Sequence, residues 1–321
     1  MAPLITDKYY IKEKLISKAK SLGFLELKVA EYRILNDEFD KYSEWIDGGY
    51  NATMGWMERN YEKRLDVRQI LPETKSVITL SHSYFTGNIH PANLNGNEGK
   101  VSRYAWGTDY HEIVLKKINE IESELKLLSP DSVTKSYVDT GPVMEKQWAV
   151  LSGLGWQGKN SLILNNKYGS YFFIGVIFTD LELPADSPVK DYCQTCRKCI
   201  DACPTNAIIA DKVVDSNKCI SYWTIEAKAD IKIPESIAQN SENWIYGCDI
   251  CQEVCPWNKN KPVITGENQF HSRIENGILS KDEIENMSPE EFNRRFKNSP
   301  LKRLKLAGLK RNAGDILSLV I

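Results

Sequence analysis

The sequence predicts an α+β fold in three consecutive parts, and three observations predict it. Over the first 185 residues, short apolar runs of strand length alternate with segments of helical period. All eight cysteines then fall between Cys193 and Cys255. From residue 263 onward the chain reads as helical and increasingly basic. The expected parts are therefore 1–185, 186–262 and 263–321.

The elements follow in order. Residues 9–22 (YYIKEKLISKAKSL) set Ile11, Leu15, Ile16, Ala19 and Leu22 on one helical face, and Gly23 is a natural stop. A polar helix is expected through 36–46. The run MERNYEKRLDVRQILP ends at Pro72, and Ser76–Ser81 (SVITLS) reads as a buried strand. Residues 86–100 hold four glycine or proline and four asparagine residues, the composition of a loop. A helix from Glu112 to about Leu128 carries Val114, Ile118, Ile121, Leu125 and Leu128 as its apolar stripe. Lys135–Val138 reads as a short strand. Pro142 opens a helix at the favoured first position, running to about Leu154. Leu162–Leu164 and Tyr171–Phe178 are expected to pair as strands across NNKYGS. The stretch LELPADSPVKD then links this layered part to the cysteines.

The first cysteines read Cys193-x-x-Cys196-x-x-Cys199-x-x-x-Cys203-Pro204. The last read Cys248-x-x-Cys251-x-x-x-Cys255-Pro256, and Cys219 stands alone between the runs. In the bacterial ferredoxin spacing, close cysteines wrap one cluster and the cysteine before proline reaches across to the other. That rule assigns Cys193, Cys196, Cys199 and Cys255 to one [4Fe–4S] cluster, and Cys203, Cys219, Cys248 and Cys251 to a second. Disulfides fit badly without an export signal, and zinc needs fewer thiolates than one loop supplies here. The chain is expected to relay single electrons to something it reduces.

Hydrophobic residues make up 42% and charged residues 26%, the balance of a soluble globular protein. No apolar run approaches membrane-spanning length, and MAPLITDKYYIKEK lacks the apolar core of an export signal. No membrane contact is expected, and the thiols point to the reducing cytosol. A net charge of −2 means that any nucleic-acid contact must be local. From Phe292 to Gly314 the chain carries eight cations and no acid: Arg294, Arg295, Lys297, Lys302, Arg303, Lys305, Lys310 and Arg311. This run is the candidate phosphate-binding patch, against the alternative of a solvated helix face. Phe292, Phe296, Leu301, Leu304 and Leu309 are expected to pack beneath it.

Three shorter motifs remain. Gly153-Leu-Gly155-Trp-Gln-Gly158 spells a dinucleotide fingerprint, but a helix precedes it and a strand follows, the reverse of what that site requires. Gly153 or Gly155 reads better as a helix C-cap. Asp139 lies in VDTGP at a strand end, where it is either a catalytic acid or base or a turn residue. Asp109-Tyr-His111 begins a cobalamin-ligating D-x-H-x-x-G pattern, but position 114 is Val, so His111 reads as a helix-start residue.

Several stretches together resemble epoxyqueuosine reductase, the family that completes the tRNA base queuosine: SRYAWGTDYH, VDTGPVMEK, GWQGKNSLIL, YGSYFF, the eight cysteines, CISYWTIE and YGCDICQEVCPWN. The resemblance spans about residues 8–315. It implies a nitroreductase-like cobalamin-binding domain, then a ferredoxin-like two-cluster domain and a short helical C-terminal region. It also implies cobalamin without a protein histidine on cobalt, serving as a Co(I) nucleophile fed by the two clusters. Asp139 matches the family's catalytic acid, held protonated by burial against the corrin. Cobalamin contacts fall near Arg64, Ser102, Asp139, Ile163 and Ser216. The implied partners are a tRNA bearing epoxyqueuosine, touched by Arg294, Arg295, Lys302 and Arg303, and an unidentified low-potential electron donor. The chain is expected to act as a monomer. Longer members add helical repeats after the stretch matching LKRNAGDIL, where this chain stops. The alternative is a corrinoid and iron–sulfur reductase of a small molecule, resembling reductive dehalogenases, which would have no use for a basic patch.

Overall fold

The computed structural model describes residues 7–259 and 261–317. Helix α1 (Lys8–Ser21) starts where Asp7 accepts the amide hydrogens of Tyr9 and Tyr10, and it buries Ile11, Leu15 and Ala19. Strand β1 (Glu26–Glu31), short and half polar, is absent from the sequence reading. Helices α2 (Asn36–Asp47) and α3 (Tyr61–Leu65) precede β2 (Ser76–Ser83), which is buried along its whole length. Strand β3 (Glu98–Val101) emerges from the expected loop. Helix α4 (Tyr110–Leu128) is capped by Asp109 and leads to β4 (Thr134–Tyr137). Then come α5 (Glu145–Leu151), β5 (Trp156–Gln157), β6 (Ile163–Leu164) and β7 (Phe172–Thr179).

The main sheet runs β1-β2-β7-β4, and every neighbouring pair is antiparallel. Period-two alternation splits β2 and β7 between two cores. Ile78, Leu80, Phe173 and Ile177 face α1 and α4, meeting Leu15, Ile118 and Ile121. Val77, Val176 and Phe178 face the other way, onto Trp148 of α5. Each fully buried aliphatic side chain contributes roughly 1.5–3 kcal/mol, so this two-sided burial anchors the layer. Gly175 lets α4 approach β7, because a Cβ there would stand 2.3 Å from Ile118 Cδ1.

Two expectations are corrected here. Pro142 does not open α5; the helix begins three residues later, and Asp139 through Pro142 form a turn with Asp139 at φ +54°. Strands β6 and β7 do not pair. The NNKYGS segment closes on itself through an Asn165–Gly169 bridge, and β6 folds back on β5. Strand β7 finds both of its partners, β2 and β4, elsewhere in the chain.

The cysteine region contains α6 (Lys198–Asp201), a hairpin of β8 (Ile208–Ala210) and β9 (Val213–Val214), α7 (Glu235–Ala238), β10 (Trp244–Tyr246) and α8 (Ile250–Glu253). The two cysteine runs fold alike. Cys203 N–H donates to Ile200 O and Cys255 N–H to Gln252 O, each at 3.2 Å, as the chain leaves α6 and α8. Strand β11 (Ile278–Ser280) and helices α9 (Lys281–Asn286), α10 (Pro289–Arg295) and α11 (Lys305–Leu317) complete the chain. A second sheet, β10-β3-β11, joins segments from all three expected parts. Phe292, Phe296, Leu301, Leu304 and Leu309 pack in the core behind it with Trp106 and Trp244. Among the described residues no helix is long and apolar enough to cross a membrane.

Candidate active site and metal centres

The eight cysteines carry free thiols and line two separate cavities. Cys193, Cys196, Cys199 and Cys255 line one of about 230 Å³. Burial, then Cys193 and Cys255, pushes the Cys199 thiol up to about 11. Cys203, Cys219, Cys248 and Cys251 line a larger cavity of about 430 Å³. Burial raises the thiols of Cys219, Cys248 and Cys251, and each of the three also feels one or two others of its own set. Cationic iron would compensate thiolates crowded in this way.

Protein groups also point at the sulfurs. Trp156 Nε1 donates to Cys193 Sγ at 3.4 Å, and the Ala207 amide donates to Cys203 Sγ at 3.3 Å. Such hydrogen bonds set cluster potentials. Trp156, Tyr192 and Trp257 pack edge to face on one another beside the first set.

The larger cavity also receives Asp139, Ser102 and Ile163. Asp139 stands at its turn with the side chain 66% accessible. Its Oδ2 accepts the Tyr110 hydroxyl at 2.5 Å, and His111 Nε2 lies 3.8 Å away. Tyr110 is held by stacking on Phe173, with ring centroids 4.0 Å apart. Burial and the neighbouring Asp139 charge raise the Tyr110 hydroxyl strongly, so it remains a donor. Glu145 Oε1 accepts the Asp139 amide hydrogen at 3.1 Å. Burial first, then Asp139, pushes the Glu145 carboxyl up to about 8. The exposed Lys146 stands beside them at the cavity mouth. The rest of the wall is largely apolar, including Phe172, Ile174, Ile208, Ile220 and Ile250.

The predicted residues do not all converge. Arg64 and Ser216 are buried but do not line this cavity. Arg64 faces the Tyr42 ring at 5.8 Å, its Nε has no partner, and it still acts electrostatically on Glu145. Ser216 donates its amide to Tyr50 O. The basic run meets acids from elsewhere in the chain: Arg295 pairs with Glu283, and Arg303 with Glu226 at 2.7 Å. Arg311 donates to carbonyls that include those of Trp223 and Ala227. Arg294 and Lys302 are exposed. Tyr110, Glu145 and Lys146 were missed as cavity residues; Glu145 and Lys146 stand only as part of VMEK, with no periodic signal. Gly153 takes φ +74° just beyond α5, where a Cβ would lie 2.1 Å from Ser187 O, so the dinucleotide spelling has a packing cause.

Two family models match. Residues 64–140 match "Epoxyqueuosine reductase QueG, DUF1730", and residues 192–258 match a 4Fe-4S double cluster binding domain. An epoxyqueuosine reductase of Atelocyanobacterium thalassa is 41% identical over 306 residues, 94% of this chain and 98% of the relative. A crystal structure of epoxyqueuosine reductase with a tRNA-Tyr epoxyqueuosine-modified stem loop superposes with TM-score 0.89 and 30% identity, covering 97% of this chain and 82% of that one. The Bacillus subtilis enzyme, with its catalytic aspartate loop swung out of the active site, matches at TM-score 0.89 and 28% identity over the same shares. With this identity and a shared fold across nearly its whole length, the chain belongs to the epoxyqueuosine reductase family.

Proposed function

We propose that the chain reduces epoxyqueuosine in tRNA to queuosine, with cobalamin in the larger cavity, a [4Fe–4S] cluster on each cysteine quartet and Asp139 as proton donor. The observation that carries this reading is one cavity lined both by Asp139 and by Cys203, Cys219, Cys248 and Cys251. A reducing cofactor between them would meet an electron source and a proton source at once.

The residues present fit cobalamin. The wall is apolar enough for a corrin face, with Ser102 and Asn160 as polar groups, and its lining residues include no histidine to claim cobalt. Cobalamin, when bound, supplies a cobalt nucleophile able to store the two electrons that single-electron clusters deliver. Opening an epoxide to an alkene and water also takes two protons. Asp139 would deliver one to the epoxide oxygen as the C–O bond breaks, from the carboxyl oxygen not engaged by Tyr110. The cysteine quartet lining the smaller cavity would take electrons from a low-potential donor.

On this reading residues 1–185 are a nitroreductase-like catalytic domain, 186–262 the two-cluster domain and 263–321 a basic region that touches tRNA. The chain would act in the cytoplasm as a monomer. The test is anaerobic reconstitution with iron, sulfide and cobalamin, then nucleoside analysis of epoxyqueuosine tRNA. Asp139→Asn should keep the cobalamin spectrum and slow turnover by roughly 10²–10⁴-fold, the weight of a positioned general acid. An Asn variant of near-parental rate makes Asp139 a turn residue.

A further inference from the structure

The turn that carries Asp139 is held in an unfavourable conformation. Asp139 has φ +54°, a left-handed backbone that non-glycine residues seldom adopt and that surrounding contacts must enforce. Two contacts do so from different sides. The Tyr110 hydroxyl takes Oδ2, and the Glu145 carboxyl takes the backbone amide hydrogen. Glu145 lies in the first turn of α5, where acidic residues commonly satisfy the free amides of their own helix. Its Oε1 reaches instead six residues back, and α5 has no side-chain cap at Met144. The carboxyl thus serves the turn as well as the amide of its own residue.

We propose that Glu145 is the positioning residue for Asp139, fixing the turn by its amide so that the Asp139 carboxyl stands in the cavity shared with the second cysteine quartet. The proposal rests on the reading of Asp139 as the acid. Glu145 suits the task because burial, then Asp139, pushes its carboxyl up to about 8, which favours a neutral acceptor for the amide beside the proton donor. The charged and titratable groups facing it are Asp139, Arg64, Lys146 and Tyr110. A neutral acceptor of the same shape should therefore serve equally well, and glutamine is one.

The test compares Glu145→Ala and Glu145→Gln by hydrogen exchange of the 138–144 segment in cluster-loaded, cobalamin-free protein, and by turnover of the complete enzyme. In the alanine variant, exchange in the turn should rise roughly tenfold, the weight of one hydrogen bond. Its kcat should fall by at least as much, with KM for tRNA and the cobalamin spectrum unchanged. The glutamine variant should restore both exchange and kcat to within about threefold of the parent. Unchanged exchange in the alanine variant overturns the proposal. So does a glutamine variant with parental exchange and alanine-like turnover, because Glu145 would then act through its proton. Should Asp139→Asn keep its rate, the acid assignment fails, and the exchange measurement still decides whether Glu145 holds the turn.

Discussion

Arg103→Met would break the buried ion pair that ties the first part of the chain to the second cysteine run. Arg103 Nη1 lies 3.1 Å from Asp249 Oδ2 and 2.6 Å from Glu253 Oε1, with the Arg103 and Asp249 side chains 6% and 1% exposed. His90 joins the two carboxylates in a group within 4.8 Å, and the cation they receive is Arg103. Breaking such a pair from one side costs about 3–5 kcal/mol, because a buried charge is left alone. Asp249 would keep three donors, Ser102 Oγ at 2.5 Å, the residue 103 amide at 2.9 Å and Gln252 Nε2 at 3.5 Å, which places the loss near the low end, about 3 kcal/mol. At a urea slope of about 3 kcal/mol per molar, the unfolding midpoint should fall by roughly 1 M. Asp249→Asn should cost a similar amount. The double variant should cost less than the sum, with a coupling of roughly 1–3 kcal/mol. Because Asp249 lies between Cys248 and Cys251, iron should leave the second quartet first when a chelator is added anaerobically. Far-UV circular dichroism and visible absorbance follow both events. An unchanged midpoint in Arg103→Met, or strict additivity in the cycle, refutes the reasoning.

Cys219→Ala should lower reconstituted iron from about eight to about four per chain and leave one cluster spectrum intact; an unchanged iron content would dissolve the quartet assignment. In the basic run, Arg294→Glu with Lys302→Glu should weaken tRNA binding and reduce its salt dependence, without breaking the Arg295 and Arg303 ion pairs. Equal affinity to the parent across several salt concentrations would make the run a solvated face. His82, 2% exposed, donates Nδ1–H to Ser83 O and accepts from Lys117 Nζ, and burial followed by the Lys117 charge lowers it to about 4. The unfolded chain therefore binds this proton more readily than the folded one. Its contribution is present above about pH 6.5 and is lost as pH falls through 4, up to about 3 kcal/mol. His82→Gln should flatten the urea midpoint over that range, and a slope identical to the parent's would show that other groups govern it.

The sequence by itself determined what depends on neighbours along the chain. Helices α1 and α4 are legible because an apolar stripe of period 3.6 is a local fact. The division of the eight cysteines is equally legible, because ferredoxin spacing is written in consecutive residues, and the two cavities receive the same two sets. Tertiary structure decided whatever depends on partners far away. Strand β1 is too short and polar to announce itself, and it forms because β2 offers a complete edge of hydrogen bonds. Strand β3 arises within a glycine- and asparagine-rich loop because β10 and β11, more than 140 residues later, pair with both of its edges. The basic run looks acid-free along the chain, yet Glu226 and Glu283 reach it in space. At the site, Asp139 was visible as a strand-end carboxylate. Its anchorage by Tyr110 and Glu145 was not, because a hydroxyl 29 residues away and a carboxyl beyond the turn meet it only once β4, α4 and α5 have packed.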